Sequence, residues 1–107
     1  MAVGVTFNNT VGTTAIALGA TLTFTGRITV CNVFAAIMPW AGNNNTCWLS
    51  FSSDLTKPAA GSPTTTGGIP LINGQWNEFP VPQGIDVTTQ LFIIGGAAGQ
   101  DFSVLGT

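Results

Sequence analysis

Residues that favour tight turns interrupt this chain at short intervals along most of its length. Between the turns the chain is rich in Thr, Val, Ile and Phe, which favour extended strands, and no segment shows sustained helical periodicity. With 14 Gly and 6 Pro in 107 residues, this pattern predicts an all-β domain. The turn signals are Asn8-Asn9, Leu18-Gly19, Thr25-Gly26, Gly42 to Asn45, Asn73-Gly74, Gln83-Gly84 and Gly95 to Gly99.

About eight short strands are predicted between these turns, in a single domain over residues 1–107 that forms an antiparallel β-sandwich or jelly-roll-like barrel. Asn73-Gly74 is expected to form a tight hairpin, and Gly95 to Gly99 is expected to form a hairpin turn between the last two strands. A flexible loop rich in Thr, Gly and Pro is predicted at about residues 56–68. The predicted strands are Val3–Asn8, Thr13–Leu18, Thr21–Thr25, Arg27–Phe34, Thr46–Ser52, Gln75–Val81, Gln90–Gly95 and Asp101–Leu105.

Both cysteines fall within predicted strands. In the later strand, Cys47, Leu49 and Phe51 alternate with Trp48 and two serines, and we expect the first set to point into the core. Cys31 and Cys47 are therefore interpreted as buried thiols, with a cross-strand disulfide as the alternative. Two cysteines without further Cys or His are too few for a disulfide framework or a zinc site.

Charged side chains make up only 6% of the sequence, against about 25% in typical soluble domains. With two basic residues and a net charge of -2, the chain lacks the Lys and Arg that binding to nucleic acid or to an anionic membrane surface requires. Its most apolar run, Val33 to Ala41, is too short to span a bilayer. The N-terminus also lacks the pattern of a signal peptide. We therefore expect a protein made in a cytosol, with no nucleic-acid partner and no membrane partner.

Few residues are suited to catalysis. The chain has no His, the usual acid, base or activator of a Cys nucleophile. Asp54 and Asp86 lie in turn-like contexts, where solvated or backbone-capping roles are the norm. A carboxylate pair formed by Glu78 with Asp86 or Asp101 is the remaining catalytic alternative. We expect no enzymatic activity, no cofactor and no metal.

The tryptophans are the main candidates for a binding surface. Exposed indole rings stack on sugars or anchor protein interfaces, whereas buried ones contribute to the core. Trp40 leads into an Asn-rich turn, so we expect it on a loop where no core buries it. The prolines near residue 80 place their segment at a sheet edge or strand end. The interface candidates are Trp40, Trp48, Trp76, Phe79 and Val81.

The scarcity of charged residues also affects how the edges of the sheets are protected from pairing with other chains. Soluble β proteins usually guard these edges with Lys, inward-pointing charges or Pro, because an open edge pairs with another chain. This sequence has one Lys, and a surface of Thr, Asn, Ser and Gly with a net charge near zero does little to prevent association. Such a surface suits a subunit that its neighbours cover. We therefore expect a homo-oligomer or a component of a larger assembly.

Several short segments follow one another along the chain, namely Arg27 to Asn32, Cys47 to Ser52, Gly68 to Leu71 with Gly74, Leu91 to Gly95 and Phe102 to Leu105. In this order they resemble small bacteriophage virion β-domains, namely capsid decoration (cement) and related minor structural proteins. The resemblance implies a virion subunit that binds the major capsid protein or other virion subunits at many copies and clamps neighbouring capsomers. A head-fibre, tail or small coat protein is equally compatible. No diagnostic functional residue matches, and a carbohydrate- or receptor-binding module that uses exposed Trp is the competing interpretation.

Overall fold

Eight β-strands and no helix form within the described part of the chain, which confirms the all-β prediction. The structure is a computed structural model that describes residues 5–22, 34–56, 68–82 and 85–106. The strands are β1 (Val5–Val11), β2 (Ile16–Ala17), β3 (Phe34–Pro39), β4 (Cys47–Ser50), β5 (Ile69–Pro70), β6 (Asn77–Pro80), β7 (Phe92–Gly95) and β8 (Gln100–Gly106).

The strands form two four-stranded antiparallel sheets. Sheet A has the order β1-β8-β3-β6, and sheet B has the order β2-β7-β4-β5. The pairs are nested along the chain: β1 pairs with β8, β2 with β7, β3 with β6 and β4 with β5. Successive pairs therefore lie in alternate sheets, which is the arrangement of a jelly roll. The predicted sandwich or jelly-roll fold is confirmed.

The core lies between the two sheets and contains inward side chains from both. In β8, Phe102 and Val104 are fully buried, whereas Ser103 between them stays partly exposed. This is the alternation of a strand with one face on the core. Leu49 and Ile93 join the same cluster from sheet B. Burying each such side chain contributes about 1.5–3 kcal/mol, so these contacts hold the sheets face to face.

Some strands begin or end at residues other than those predicted, because they pair with strands that are distant in the sequence. Asn8-Asn9 was predicted as a turn but lies inside β1, because the whole strand pairs with β8. The Asn9 carboxamide also donates to the carbonyl oxygens of Leu18 and Ala20, at 3.1 and 2.9 Å. β3 was not predicted, because its middle residues are buried on both faces and show no polar alternation. β5, with only two residues, was also missed.

Several predicted elements fall wholly or partly outside the described residues. Of the predicted strands Thr21–Thr25 and Arg27–Phe34, the structure describes Thr21, Leu22 and Phe34. Thr21 lies in a turn with a φ of 64°, so no strand begins there. Most of the predicted loop at 56–68, the Gln83-Gly84 turn and Cys31 lie outside the described residues.

Two turns that were expected to form hairpins connect the two sheets instead. Asn73-Gly74 lies between β5 and β6, and Gly95 to Gly99 leads from β7 into β8. In both cases the flanking strands belong to different sheets. The hairpin prediction was wrong because turn chemistry sets the local reversal of the chain, whereas long-range packing selects the strand that becomes the partner.

The inward set predicted around Cys47 is only partly confirmed. Cys47 and Leu49 lie in the core, and Cys47 is a free thiol. Phe51, expected beside them, is 49% exposed. β4 ends at Ser50, whose hydroxyl accepts a hydrogen bond from the Ser52 N–H at 3.0 Å. This local bond turns the chain away from the strand, and the alternation stops with it.

Candidate interaction face

The outward side chains of sheet A form one surface, which we call the outer face of sheet A. Within β8, Asp101, Ser103 and Leu105 alternate with the buried residues and therefore point outward. The antiparallel register places residues of β1, β3 and β6 beside them. The rows across this face are Thr6–Leu105–Ala36–Glu78, Asn8–Ser103–Met38 and Thr10–Asp101.

Trp40 lies at one end of this face, directly after β3. Its backbone N–H donates to the Asp101 carbonyl oxygen at 3.0 Å, which continues the pairing of β3 with β8 by one residue. Its side chain is 41% exposed. The sequence correctly placed Trp40 at an exposed position, since the strand ends at Pro39 and the Asn-rich turn follows.

The indole of Trp40 is held across β8 by a chain of two hydrogen bonds. Its Nε1–H donates to Ser103 Oγ at 2.9 Å, and the Ser103 hydroxyl donates to Asn8 Oδ1 at 2.6 Å. The ring therefore reaches diagonally over the neighbouring strand. Its one polar atom is satisfied within the protein, so the exposed part of the side chain is apolar ring surface.

Trp76 lies at the same end of the outer face of sheet A. It directly precedes β6, in which Glu78 and Pro80 are exposed while Phe79 packs against the core. The alternation places Trp76 on the outward side with Glu78, and its side chain is 46% exposed. Extending the β3–β6 register by one residue places Trp76 opposite Met38, diagonal to Trp40 and within reach of an aromatic side chain.

A polar side chain fixes the turn that presents Trp76. The Asn77 carboxamide donates to the carbonyl oxygens of Ile37 and Gln75, at 3.0 and 2.9 Å. It also exchanges longer hydrogen bonds with the backbone of Ile72. Gly74 then donates its N–H to the Pro39 carbonyl oxygen at 2.6 Å. The turn before Trp76 is thereby attached to the end of β3, next to Trp40.

A second network fixes the Asn-rich turn on the other side of Trp40. Asn43 donates through Nδ2 to the Asp101 carbonyl oxygen at 2.8 Å, and its Oδ1 accepts the Asp101 N–H at 2.9 Å. Gln100, which is 1% exposed, donates to Asn44 Oδ1 and accepts from the Asn45 N–H. Sequence reasoning missed Asn43 and Gln100, because their partners lie more than fifty residues away in the chain.

The remaining interface candidates lie elsewhere. Trp48 is half-buried on the opposite sheet, with Ile94 and Pro70 as its strand neighbours. Phe79 is half-buried and packs against the core, and Val81 belongs to the core itself. Of the five candidates, the structure therefore brings only Trp40 and Trp76 together on one exposed surface.

The charged side chains described on this face are all acidic. Glu78 is exposed, and Asp101 is half-buried with its Oδ1 accepting the Thr10 hydroxyl at 2.6 Å. The described residues of the chain include no Lys or Arg, since Arg27 and Lys57 lie outside them. In its described part, the outer face of sheet A thus combines apolar ring surface with negative charge.

A shallow groove of about 570 Å³ lies beside sheet B, between the β1–β2 connection and the loop after β4. Leu55 and Ile94 are its buried apolar members. Asp54 is its one charged lining residue, and hydroxyl groups supply most of the other polar atoms. The lining therefore offers hydrogen bonds to a ligand. Its hydroxyl-bearing residues are Thr13, Thr14, Ser53 and Thr56.

Reactive groups are sparse in the described part of the chain. Burial raises the pKa of the Cys47 thiol from 9.0 to about 11, so it is protonated and unreactive at neutral pH. Asp86 accepts both the N–H and the hydroxyl of Thr88, at 2.8 and 2.6 Å, in the backbone-capping role expected for it. Among residues 5–22, 34–56, 68–82 and 85–106, no three His, Cys, Asp or Glu side chains group together as metal ligands would.

Comparison with known proteins finds no matching family model, curated protein or solved structure. Within the described residues, no helix is long and apolar enough to cross a membrane.

Proposed function

We propose that this chain is a non-enzymatic structural protein of a virus particle, most specifically a capsid decoration protein that stabilises neighbouring capsomers. In this proposal the outer face of sheet A docks on the major capsid protein or on another virion subunit. The observation that carries the proposal is the placement of Trp40 and Trp76 on one exposed sheet surface. Tryptophan is enriched among the residues that dominate binding energy at protein interfaces.

The low charge of the chain supports the same proposal. With 6% charged residues, the exposed surface resists association weakly. Trp40, Trp76 and Leu105 add exposed apolar area to one face, and such clusters on soluble proteins commonly mark interaction sites. Burial of this face in an assembly removes the apolar surface from water. A homo-oligomer within the particle is part of the proposal, because clamps of this kind contact several neighbours at once.

The jelly-roll topology is compatible with the proposal but does not select it. Jelly rolls serve viral coat proteins and sugar-binding proteins alike, and a fold alone does not determine a function. The proposal of no enzymatic activity draws on the buried Cys47 thiol, with its raised pKa, and on a sequence without His. This part of the proposal rests on the chemistry of the side chains, because the fold by itself does not exclude catalysis.

Purified particles provide the experiment. Virions of the virus that encodes the chain are banded by density, and their proteins are quantified by mass spectrometry. The chain is expected at a stoichiometry related to that of the major capsid protein, and it is expected to remain after stringent washing. Its absence from intact particles would defeat the proposal.

A second candidate function, sugar or receptor binding, is favoured by the polar groups around Trp40. The exposed indole donates to Ser103, which in turn donates to Asn8, and Asp101 is the cross-strand neighbour of Trp40. A sugar ring commonly stacks on such an indole with hydrogen bonds from neighbouring side chains. Glycan binding by the wild type, and its loss in Trp40→Ala and Trp76→Ala, would support this function. Trp48→Phe, on the other sheet, is the matched control.

A further inference from the structure

Asp101 is the cross-strand neighbour of Trp40 on the outer face of sheet A. The Trp40 N–H donates to the Asp101 carbonyl oxygen at 3.0 Å, and both side chains leave the sheet on the same side. Side chains directly opposite each other in antiparallel strands have Cβ atoms about 4.5–5.5 Å apart. Trp40 and Asp101 are therefore neighbours on this face, with the Asp101 carboxylate bonded to Thr10 and the indole bonded to Ser103.

Hydrogen bonds inside the protein fix both groups before any partner arrives. Ser103 accepts the indole N–H, and Thr10 donates its hydroxyl to Asp101 Oδ1 at 2.6 Å. The indole therefore presents ring surface and no donor. The carboxylate presents lone pairs and a negative charge. Held in this way, the two groups lose little conformational entropy on binding.

One kind of side chain can contact both the indole and the carboxylate. A guanidinium group is planar, stacks on the face of an indole, and donates parallel N–H bonds to a carboxylate. An ammonium group is a compact, strongly hydrated point charge and matches the flat ring less well. A neutral sugar stacks on the ring but brings no positive charge to Asp101. The chemistry beside Trp40 thus favours arginine.

We propose that Trp40 and Asp101 together receive an arginine side chain of the protein that covers the outer face of sheet A. The inference rests on the proposed function and names the chemistry of the partner surface. Charge complementarity argues for a different protein as the occupant. If a second copy of this chain docked by the same face, its Glu78 and Asp101 would come close to Glu78 and Asp101 of the first copy. These like charges would repel each other.

Titration of the folded chain with defined peptides tests this proposal. The ¹⁵N-labelled protein is titrated at low salt with a blocked Gly-Arg-Gly-Arg-Gly peptide, with the same peptide carrying Lys, and with a neutral chito-oligosaccharide. We expect the arginine peptide to shift the Trp40 indole resonance and the Asp101 amide resonance. It is expected to bind about two- to five-fold more tightly than the lysine peptide, from the stacking contribution, and high NaCl is expected to weaken it.

Asp101→Asn supplies the variant, since the amide keeps an oxygen for the Thr10 hydroxyl and removes only the charge. Its affinity for the arginine peptide is expected to fall, whereas Asp54→Asn, on the exposed loop after β4, is expected to keep both that affinity and the preference for arginine over lysine. Trp40→Phe is the second variant, in which the preference weakens. Equal binding of the two peptides, unchanged binding in Asp101→Asn, salt-sensitive self-association through this face, or shifts produced only by the oligosaccharide would each overturn the inference.

The failure of this inference differs from the failure of the proposed function. If the chain is abundant in particles and shows no arginine preference, the arginine site is refuted and the structural role stands. If the preference is found and purified particles lack the chain, the site stands and the virion role is refuted.

Discussion

The indole N–H of Trp40 donates a 2.9 Å hydrogen bond to the hydroxyl of Ser103, sixty-three positions further along the chain. This bond explains how an exposed tryptophan can have a defined orientation. The same hydroxyl donates to Asn8 on the edge strand β1, so three strands of sheet A contribute to the position of one ring.

Ser103→Ala removes the acceptor of the indole and the donor to Asn8 together. We expect the Trp40 indole proton resonance to move toward its position in a water-exposed peptide, with a loss of about 0.5–1.5 kcal/mol in unfolding free energy. Two-dimensional NMR and urea unfolding provide the measurements. Ser53→Ala, at an exposed position on the loop after β4, is the control. An unmoved indole resonance in Ser103→Ala would show that the bond does not orient the ring.

Asn77→Ala tests how Trp76 is presented. The Asn77 side chain bonds to backbone groups of Ile37, Ile72 and Gln75, and the alanine variant leaves these groups without that partner. The unfolding free energy is expected to fall by about 1–3 kcal/mol, and the amides of the turn are expected to exchange faster with deuterium. Gln75→Ala, at an exposed position in the same turn, is expected to change neither quantity appreciably.

Gly74→Ala tests the same turn through its backbone. Gly74 has a φ of 78°, in the left-handed region, and an added Cβ would lie 3.1 Å from the Cβ of Ala41. Strain and crowding together are expected to cost about 1–3 kcal/mol of stability in chemical unfolding. Gly42→Ala is the matched control, since nothing lies within 4 Å of its added Cβ. Equal stabilities of the two variants would contradict the described turn.

The buried thiol gives a prediction about pH. Burial raises the pKa of Cys47 from 9.0 to about 11, so between these values the folded chain keeps a proton that the unfolded chain releases. Stability is therefore expected to fall as pH rises from about 9 to about 11, with a total effect of about 2–3 kcal/mol. Urea unfolding at several pH values measures this slope.

Cys47→Ala is the comparison for the pH series. The alanine variant is expected to be less stable at neutral pH, because a core side chain is smaller, but its stability should fall less steeply above pH 9. The slopes are compared because the remaining titrating groups are common to both chains. Parallel slopes would mean that the Cys47 thiol is not protected from ionisation by the fold.

The fold class could be predicted from the sequence, whereas the strand partners could not. Turn residues and β-branched segments are local signals, and they indicated an all-β fold of short strands correctly, although β3 and β5 were missed. The pairing of β1 with β8 joins residues about ninety-five positions apart, and no local pattern records such a contact. For the same reason Asn8-Asn9 was predicted as a turn, and the glycines before β8 as a hairpin.

The sequence indicated individual residues of the candidate surface but not which of them lie together. Trp40 stood out because it follows a proline and precedes an Asn-rich turn. Trp76 and Trp48 were both candidates, because each lies within a predicted strand. Only the register of β3 with β6 places Trp76 beside Trp40, and only the sheet order separates Trp48 from both. Ser103 carried no signal of its own, and Asp101 was considered only as a member of a carboxylate pair.

Hydroxyl-radical footprinting of the chain, free in solution and within purified particles, tests the central claim most directly. If the outer face of sheet A is the docking surface, oxidation of Trp40 and Trp76 should drop strongly in the particle. Phe51, which is exposed after β4 and away from this face, should be oxidised to a similar extent in both samples. Undiminished oxidation of both tryptophans in a particle that contains the chain would contradict the account.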